Sequence, residues 1–588
     1  MHDFRIWAPD AKKMTLLLYG KAADKGELRC PMKGPDSDGW WSIEADAACG
    51  DDYAYLIDAD PTPYPDPRAL DMADGVHGPS RLYDQATFVW HDPLWQGPPL
   101  TGAVIYEMHI GTFSDGGTFD SAIDHLRYLA TLGVTHIEVM PIAEFPGDFG
   151  WGYDGVSLFA VTHSYGGPDA FKRFVDACHQ TGLAVLLDVV YNHFGPVGNY
   201  TIKFGPYLTD RHRTPWGAAV NFEESGSDQV RRFFVDNALM WMRDYHVDGL
   251  RLDAVHEYMD RSAVHFMEQL SGEVDVLSSV LGRRLVLIAE SDLNDPHVVK
   301  PREAGGMGMD AQWSDDFHHS LFTVLQPSEE GQGYYDDFGS MEALAKSLKE
   351  VFVYDGEYSG FRKRTHGRRV GDLSAHHFLG YIQNHDQIGN RAIGDRIEHI
   401  VGPAKTKVAL ALVMTAPFIP MLFQGEEFAA STPFQYFAHH DDEEMAKAVS
   451  AGRKREFAQF GWNDDEIPDP EKRETFERSH LKWSEVHQGS HADMLDWTRK
   501  LIHLRRSSIS LNNGQLQAVR IKFDEDKRWL TMRRGHVLVA LNLGTETVTL
   551  PNRDKLPVQL ASDSGITVTD QEIILPADSV AILQAKES

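Results

Sequence analysis

The sequence predicts an α/β protein: a central (β/α)8 (TIM) barrel preceded by an N-terminal β-sandwich and followed by a C-terminal antiparallel β-domain. Three observations carry this expectation. The chain has 588 residues, more than one compact core supports. Eight short apolar runs alternate with longer helical patterns through its middle. Both ends instead read as short strands divided by Pro, Gly and Asp clusters. The expected boundaries are 1–98 for the sandwich, 99–507 for the barrel and 508–588 for the last β-domain.

The elements justify these boundaries in order. "FRIWAP", "MTLLLYG", "WWSIEA" and "YAYLID" supply the first strands. Their aromatics Trp40, Trp41, Tyr53 and Tyr55 suit either a sandwich core or a sugar-binding surface, and alternation does not separate the two. "HDPLWQGPPLTG", from His91, concentrates proline and glycine and reads as a linker. The barrel strands are then "AVIYEMHI", "VTHIEVMPI", "LAVLLDVV", "VDGLRLDAV", "LVLIAE", "AQWSDDF", "HFLGYIQNHD" and "PFIPMLFQG". Near-continuous apolar strands in βα order are what a parallel sheet covered on both faces requires. "HHDDEEMAK", from His439, reads as the solvated start of a helix. "RWLTMRR", "HVLVALNL", "TVTL", "EIILP" and "VAILQA" close the chain as alternating strands.

Composition narrows the function. The net charge is −31, from 56 Lys and Arg against 87 Asp and Glu, so nucleic acids and anionic membranes are repelled on average and a neutral substrate is favoured. The start, "MHDFRIWAPDAKK", lacks a leader pattern, and no window approaches 18 consecutive apolar residues. A soluble cytoplasmic protein is expected. Cys30, Cys49 and Cys178 have neither metal-ligand nor redox-motif spacing and are expected to be reduced.

Polar residues gather at the strand ends, where barrel enzymes build their sites. The third strand ends in "DVVYNH", carrying Asp188, Asn192 and His193. In the fourth, Leu250 and Leu252 face one way while Arg251 and Asp253 face the other. The fifth ends at Glu290, and the seventh in "QNHDQ" with His385 and Asp386. Carboxylates on three separate strands over a neutral substrate point to glycoside hydrolysis, one ionised and one protonated. Arg251 would hold Asp253 ionised. Glu290, emerging from an apolar strand, would have its pKa raised by burial and by its neighbours, which suits it to be the acid.

"DVVYNH", "GLRLDAV", "LIAES" and "YIQNHD" resemble, in order, the four signature regions of the α-amylase superfamily, glycoside hydrolase family 13. The resemblance implies that Asp253 is the nucleophile, Glu290 the general acid and base, and Asp386 the stabiliser of the transition state through sugar hydroxyls. It further implies that His193, Arg251 and His385 line the same subsite, that Tyr153 in "GWGYDG" stacks under the reacting ring, and that configuration is retained. "FRIWAPDA" resembles the sandwich that precedes the barrel in branching enzymes and isoamylase-type debranching enzymes.

"YEMHIGTFS", "GWGYDG", "WSDDFHH", "QNHDQIGNR" and "LFQGEEFAASTPFQYF" resemble, as a set, the malto-oligosyltrehalose hydrolases of this superfamily. That branch implies a malto-oligosyltrehalose substrate, a malto-oligosyltrehalose synthase as functional partner and a monomer or homodimer. His256, where ordinary amylases carry a lysine, joins the expected substrate contacts. So do Asp315, Asp316 and His318 of "DDFHH" and Asn384 and Gln387 beside Asp386. No metal and no cofactor are expected, because the segment after the third strand is short for a calcium-binding domain. The competing expectation is a branching or debranching enzyme of the same superfamily.

Overall fold

The computed structural model describes residues 1–20, 26–327, 333–458 and 462–585. Eight strands close a parallel barrel: β1 Ile105–Met108, β2 His136–Val139, β3 Ala184–Val189, β4 Gly249–Leu252, β5 Val286–Ala289, β6 Ala311–Trp313, β7 Phe378–Gly380 and β8 Ile419–Phe423. Each pairs with its sequence neighbours, and β8 returns to β1. Every run read as a barrel strand contains one.

Alternation along these strands sorts the barrel into layers. Outward residues such as Ile137, Leu187, Leu250 and Leu252 pack on the surrounding helices. Inward residues Ile105, Leu186, Ile288, Ala311, Leu379, Ile419 and Met421 form a separate apolar plug. Full burial of each large aliphatic side chain in it contributes about 1.5–3 kcal/mol. Above the plug the inward positions turn polar, so the charges at the C-terminal mouth rest on a low-dielectric floor.

The helices between strands carry local start and stop signals. Gly167–Thr181 has proline in its first turn and ends at Gly182 with φ 85°, the left-handed conformation that glycine adopts without a Cβ penalty. Gly249 in β4 serves close packing instead. A Cβ there would lie 2.5 Å from the Val286 carbonyl oxygen and 2.4 Å from the Val286 side chain.

At the N-terminal end, His2–Trp7 pairs with Trp40–Ala45. Opposite lies a four-stranded sheet of Glu27–Pro31, Met14–Tyr19, Asp52–Ile57 and Ser80–Arg81. Trp41, Tyr53 and Tyr55 are buried, and Tyr55 meets Phe204 of the barrel in a T-shaped contact. Trp40 lies under the Arg68 guanidinium and donates to Gln229. Of the two readings left open for these aromatics, they are core and junction residues. At the other end a five-stranded and a three-stranded antiparallel sheet occupy Arg520–Gln584. The acidic run from His439 leads into the helix Glu443–Ala458. Cys30, Cys49 and Cys178 are free thiols. Among the described residues no helix is long and apolar enough to cross a membrane.

Candidate active site

The mouth of the barrel is organised around one guanidinium. Arg251, fully buried on β4, donates through Nη1 to both oxygens of Asp188 at 2.9 Å and to Asp253 Oδ1 at 2.7 Å. Its Nη2 lies 3.2 Å from Glu290 Oε2. One cation therefore touches carboxylates from β3, from the end of β4 and from the end of β5. The Trp313 ring of β6 packs against it, 4.3 Å from guanidinium carbon to ring centroid. A planar, permanently charged, weakly hydrated group fits this position, whereas an ammonium would not span it.

The turn after β4 brings the carboxylates together. Ala254 adopts φ 40°, and its backbone N–H donates to Glu290 Oε2 at 2.7 Å. Glu290 is thus anchored by the residue adjoining Asp253. Burial pushes its pKa up to about 8; Arg251 opposes this, and Asp253, Asp386 and Asp315 reinforce it. Burial likewise raises Asp188 to about 6, against the pull of Arg251.

A second strand of contacts runs from β7. His385 lies beneath Tyr153, ring centroids 5.1 Å apart, and its Nε2 meets the Tyr153 hydroxyl at 2.8 Å. That hydroxyl donates to Asp188 Oδ2 at 2.6 Å. Asp386, the most open of the carboxylates at 43 % side-chain exposure, has Oδ1 3.5 Å from His385 Nε2 and accepts from Asn390 Nδ2 at 3.2 Å. Asn384 caps the short helix His385–Gly389, its Oδ1 accepting from the backbone N–H groups of Asp386 and Gln387.

The remaining expected contacts divide. His193 bonds the Tyr153 carbonyl at 3.1 Å and stacks on Trp216, centroids 4.6 Å apart. Asp315 accepts from Tyr381 at 2.6 Å and from Gln387 Nε2 at 3.4 Å; burial raises it to about 6. His256 is half-buried in the turn Val255–Glu257, its Nδ1 without a partner among the described residues. Asp316 and His318 do not join the group, contrary to the expectation from "DDFHH". The segment opens the helix Asp315–Leu325, so consecutive side chains point apart. Asp316 Oδ2 accepts from the Val353 and Tyr354 N–H groups and from Asn294. His318 is 2 % exposed, and its Nδ1 donates to the Ile382 carbonyl. Both brace loops.

Several participants were not singled out from sequence. Glu107 on β1 bonds His385 through both carboxylate oxygens. Glu138, its register neighbour on β2, is buried beside it. Trp313, Tyr381 and Trp216 supply the ring surfaces and the hydroxyl described above. The available signal was the charged residue inside an otherwise apolar strand, in "IYEM" and "HIEV". Asn192 is buried with neither amide atom partnered, and among the described residues no group of three or more His, Cys, Asp or Glu side chains is arranged to hold a metal ion.

Chemically, the arrangement pairs a carboxylate beside a fixed cation with a protonated carboxyl beside it, over an open third carboxylate. Comparison with known proteins agrees in family. Residues 79–212 match the model for the alpha amylase catalytic domain, and residues 514–582 match a domain of unknown function. A solved structure described as a putative alpha amylase from Salmonella typhimurium superposes with a TM-score of 0.89 at 37 % identity, covering 99 % of this chain and 97 % of that one. The malto-oligosyltrehalose trehalohydrolase of Rhizobium sp. (strain M-11) is 48 % identical over 99 % of this chain and 97 % of its own length. That of Mycobacterium tuberculosis (strain H37Rv) is 45 % identical over the full length of both. The chain belongs to the malto-oligosyltrehalose trehalohydrolase family, within the α-amylases.

Proposed function

We propose that this chain is a retaining glycoside hydrolase that cleaves the α-1,4 glucosidic bond next to the terminal trehalose of malto-oligosyltrehalose, releasing trehalose and a malto-oligosaccharide. End-to-end similarity to trehalohydrolases, joined to the Asp253–Arg251–Glu290 constellation, supports this reading.

Asp253, paired with Arg251, attacks the anomeric carbon of the glucose that precedes trehalose. The carbon–oxygen bond to trehalose breaks, and Glu290 gives its proton to that oxygen, so trehalose leaves. Glu290, now a carboxylate, takes a proton from water, whose oxygen displaces Asp253 and releases the malto-oligosaccharide with its configuration retained. Two carboxyls sharing one guanidinium suit the short separation of about 5–5.5 Å that retaining enzymes use better than the wider spacing of inverting ones. Asp386, more open than either, is positioned to accept from sugar hydroxyls, which strengthens as the ring flattens. Tyr153, His193, Arg251, His256, Asp315, Asn384, His385 and Gln387 complete the substrate contacts of this proposal.

The substrate requires an enzyme that converts the reducing end of a malto-oligosaccharide into trehalose, a malto-oligosyltrehalose synthase, as functional partner. The chain acts as a monomer or homodimer in the cytoplasm.

Product analysis with maltotriosyltrehalose and, separately, maltopentaose tests the reading. Trehalose and maltotriose from the first, with much slower attack on the second, is the expected result. Equal cleavage of both would return the chain to a general amylase. New branch points or longer chains would make it a transferase.

A further inference from the structure

Beneath the sugar site lies a carboxylate that the mechanism above does not use. Glu107 projects from β1 into the barrel with 1 % of its surface exposed. Its Oε2 accepts the backbone N–H of His385 at 3.0 Å, and its Oε1 meets His385 Nδ1. This two-point contact fixes both the position and the rotation of the ring.

The other side of the ring is fixed by hydrogen-bond direction. The Tyr153 hydroxyl has one proton and gives it to Asp188 Oδ2, which is itself an acceptor for Arg251. Its contact with His385 Nε2 must then be one in which the phenolic oxygen accepts, so Nε2 carries hydrogen. Nδ1, facing a carboxylate, carries hydrogen as well.

We propose that Glu107 is a positioning residue, holding His385 as a doubly protonated imidazolium whose Nε2–H is aimed at Tyr153 and Asp386. The chain of donors then runs in one sense, from His385 through Tyr153 to Asp188, and joins the ion pair of Asp188 with Arg251. A fixed positive charge under the reacting sugar orients Asp386, 3.5 Å from His385 Nε2, without itself taking part in proton transfer.

The other titratable groups around His385 fit this assignment. Arg251 on β4 and His109 after β1 oppose its charge, while Glu107, Asp386 and Asp188 favour it. Burial alone would neutralise the ring, but Glu107 and Asp386 outweigh it and raise His385 to about 9. Glu138 is pushed well up by burial and by Glu107 beside it, so it remains neutral and leaves Glu107 as the counter-ion.

The activity half of the test rests on the hydrolase reading, whereas the spectroscopic half does not. In the full chain labelled with 15N-histidine, the His385 resonances, identified by their loss in His385→Gln, should show both nitrogens protonated up to pH 8. In Glu107→Gln, which keeps the size and one acceptor but removes the charge, they should titrate near the ordinary value of ~6.5. The wild-type to Glu107→Gln ratio of kcat/KM on maltotriosyltrehalose should then be under ~3 at pH 5 and grow to ~30 at pH 8, following the neutral fraction of such a histidine. Glu107→Asp should restore most of the alkaline activity.

A ratio that does not change with pH, or a wild-type His385 that is neutral at pH 7, overturns the proposal. Wild-type protein that releases no trehalose overturns the hydrolase reading instead, and the titration still decides the role of Glu107. Should Glu107→Gln fail to fold, the wild-type titration and the Glu107→Asp profile carry the decision.

Discussion

Glu290 illustrates how one environment serves both chemistry and pH dependence. Its carboxyl is held near the Asp253 turn by the Ala254 N–H and is raised to about 8 by burial and by three carboxylates. A carboxyl protonated at neutral pH is what a leaving oxygen needs. The same shift acts on stability. Because the folded state holds this proton to about pH 8 while the unfolded chain releases it near 4.5, folding is penalised increasingly between those values. Glu290→Gln removes the penalty. It should lower kcat by about 10²–10⁴-fold, and its melting temperature should gain on wild type progressively from pH 4.5 to 8, read by calorimetry at several pH values. A gain that is constant with pH would contradict the raised pKa. Sequence made much of this legible, because the alternation in "GLRLDAV" placed Arg251 and Asp253 on one inward face and the apolar approach to Glu290 implied desolvation. It did not reveal Glu107, whose partner His385 lies 278 residues away, nor the redirection of Asp316 to the Val353 and Tyr354 backbone. Both depend on which loops meet across the barrel, and no local pattern encodes that.

At the scale of elements, the strands were legible for a simple reason: a strand of a covered parallel barrel is apolar on both faces below its polar tip, and eight such runs stand out against helical patterns. The short antiparallel pairs Leu208–Thr214 with Gly217–Val220 and Glu357–Ser359 with Arg364–His366 were not, since their residues are largely polar and their pairing is set by the loops they close. "DDFHH" follows β6 and opens a helix of 11 residues, and helical rotation is what sends Asp315 into the site and Asp316 away from it. Within the barrel, strand spacing near the plug leaves no room for adjustment at Gly249. Gly249→Ala would drive a methyl against the Val286 carbonyl 2.5 Å away, and β4 carries Arg251. We expect a loss of about 1–3 kcal/mol, the usual range for overpacking, measured by denaturant unfolding, with a fall in kcat because the Arg251 fork shifts with its strand. An unchanged kcat at reduced stability would show that the strand yields elsewhere.

Across the whole molecule, the C-terminal sheets are fastened to the barrel by buried arginines. The helix Ile397–Thr415 ends between β7 and β8, and its last carbonyls have no partner within the helix. Arg505, from the helix Gly489–Ser507, donates to the carbonyls of Met414, Ala416 and Phe418. Arg534, at the end of the strand Trp529–Arg534, donates to Thr415 and Ala416 and also to Leu511 and Asn513. Two cations thus meet the negative end of one helix, which favours positive charge. Among the described residues both donate to backbone carbonyls rather than to a carboxylate, and burial lowers the pKa of Arg534 to about 9. Removing Arg534 would take this donor from the buried Thr415 and Leu511 carbonyls, each costing about 1–3 kcal/mol if left unpaired, while Ala416 still accepts from Arg505. The cost falls on the junction between barrel and C-terminal sheets rather than on the active site at the opposite end of the strands. Arg534→Ala should therefore lower the thermal midpoint and separate a low-temperature transition for the C-terminal sheets in calorimetry, while kcat on maltotriosyltrehalose stays near wild type below that transition. A single, unshifted transition would mean that water satisfies those carbonyls and that the C-terminal sheets are held by apolar contact alone.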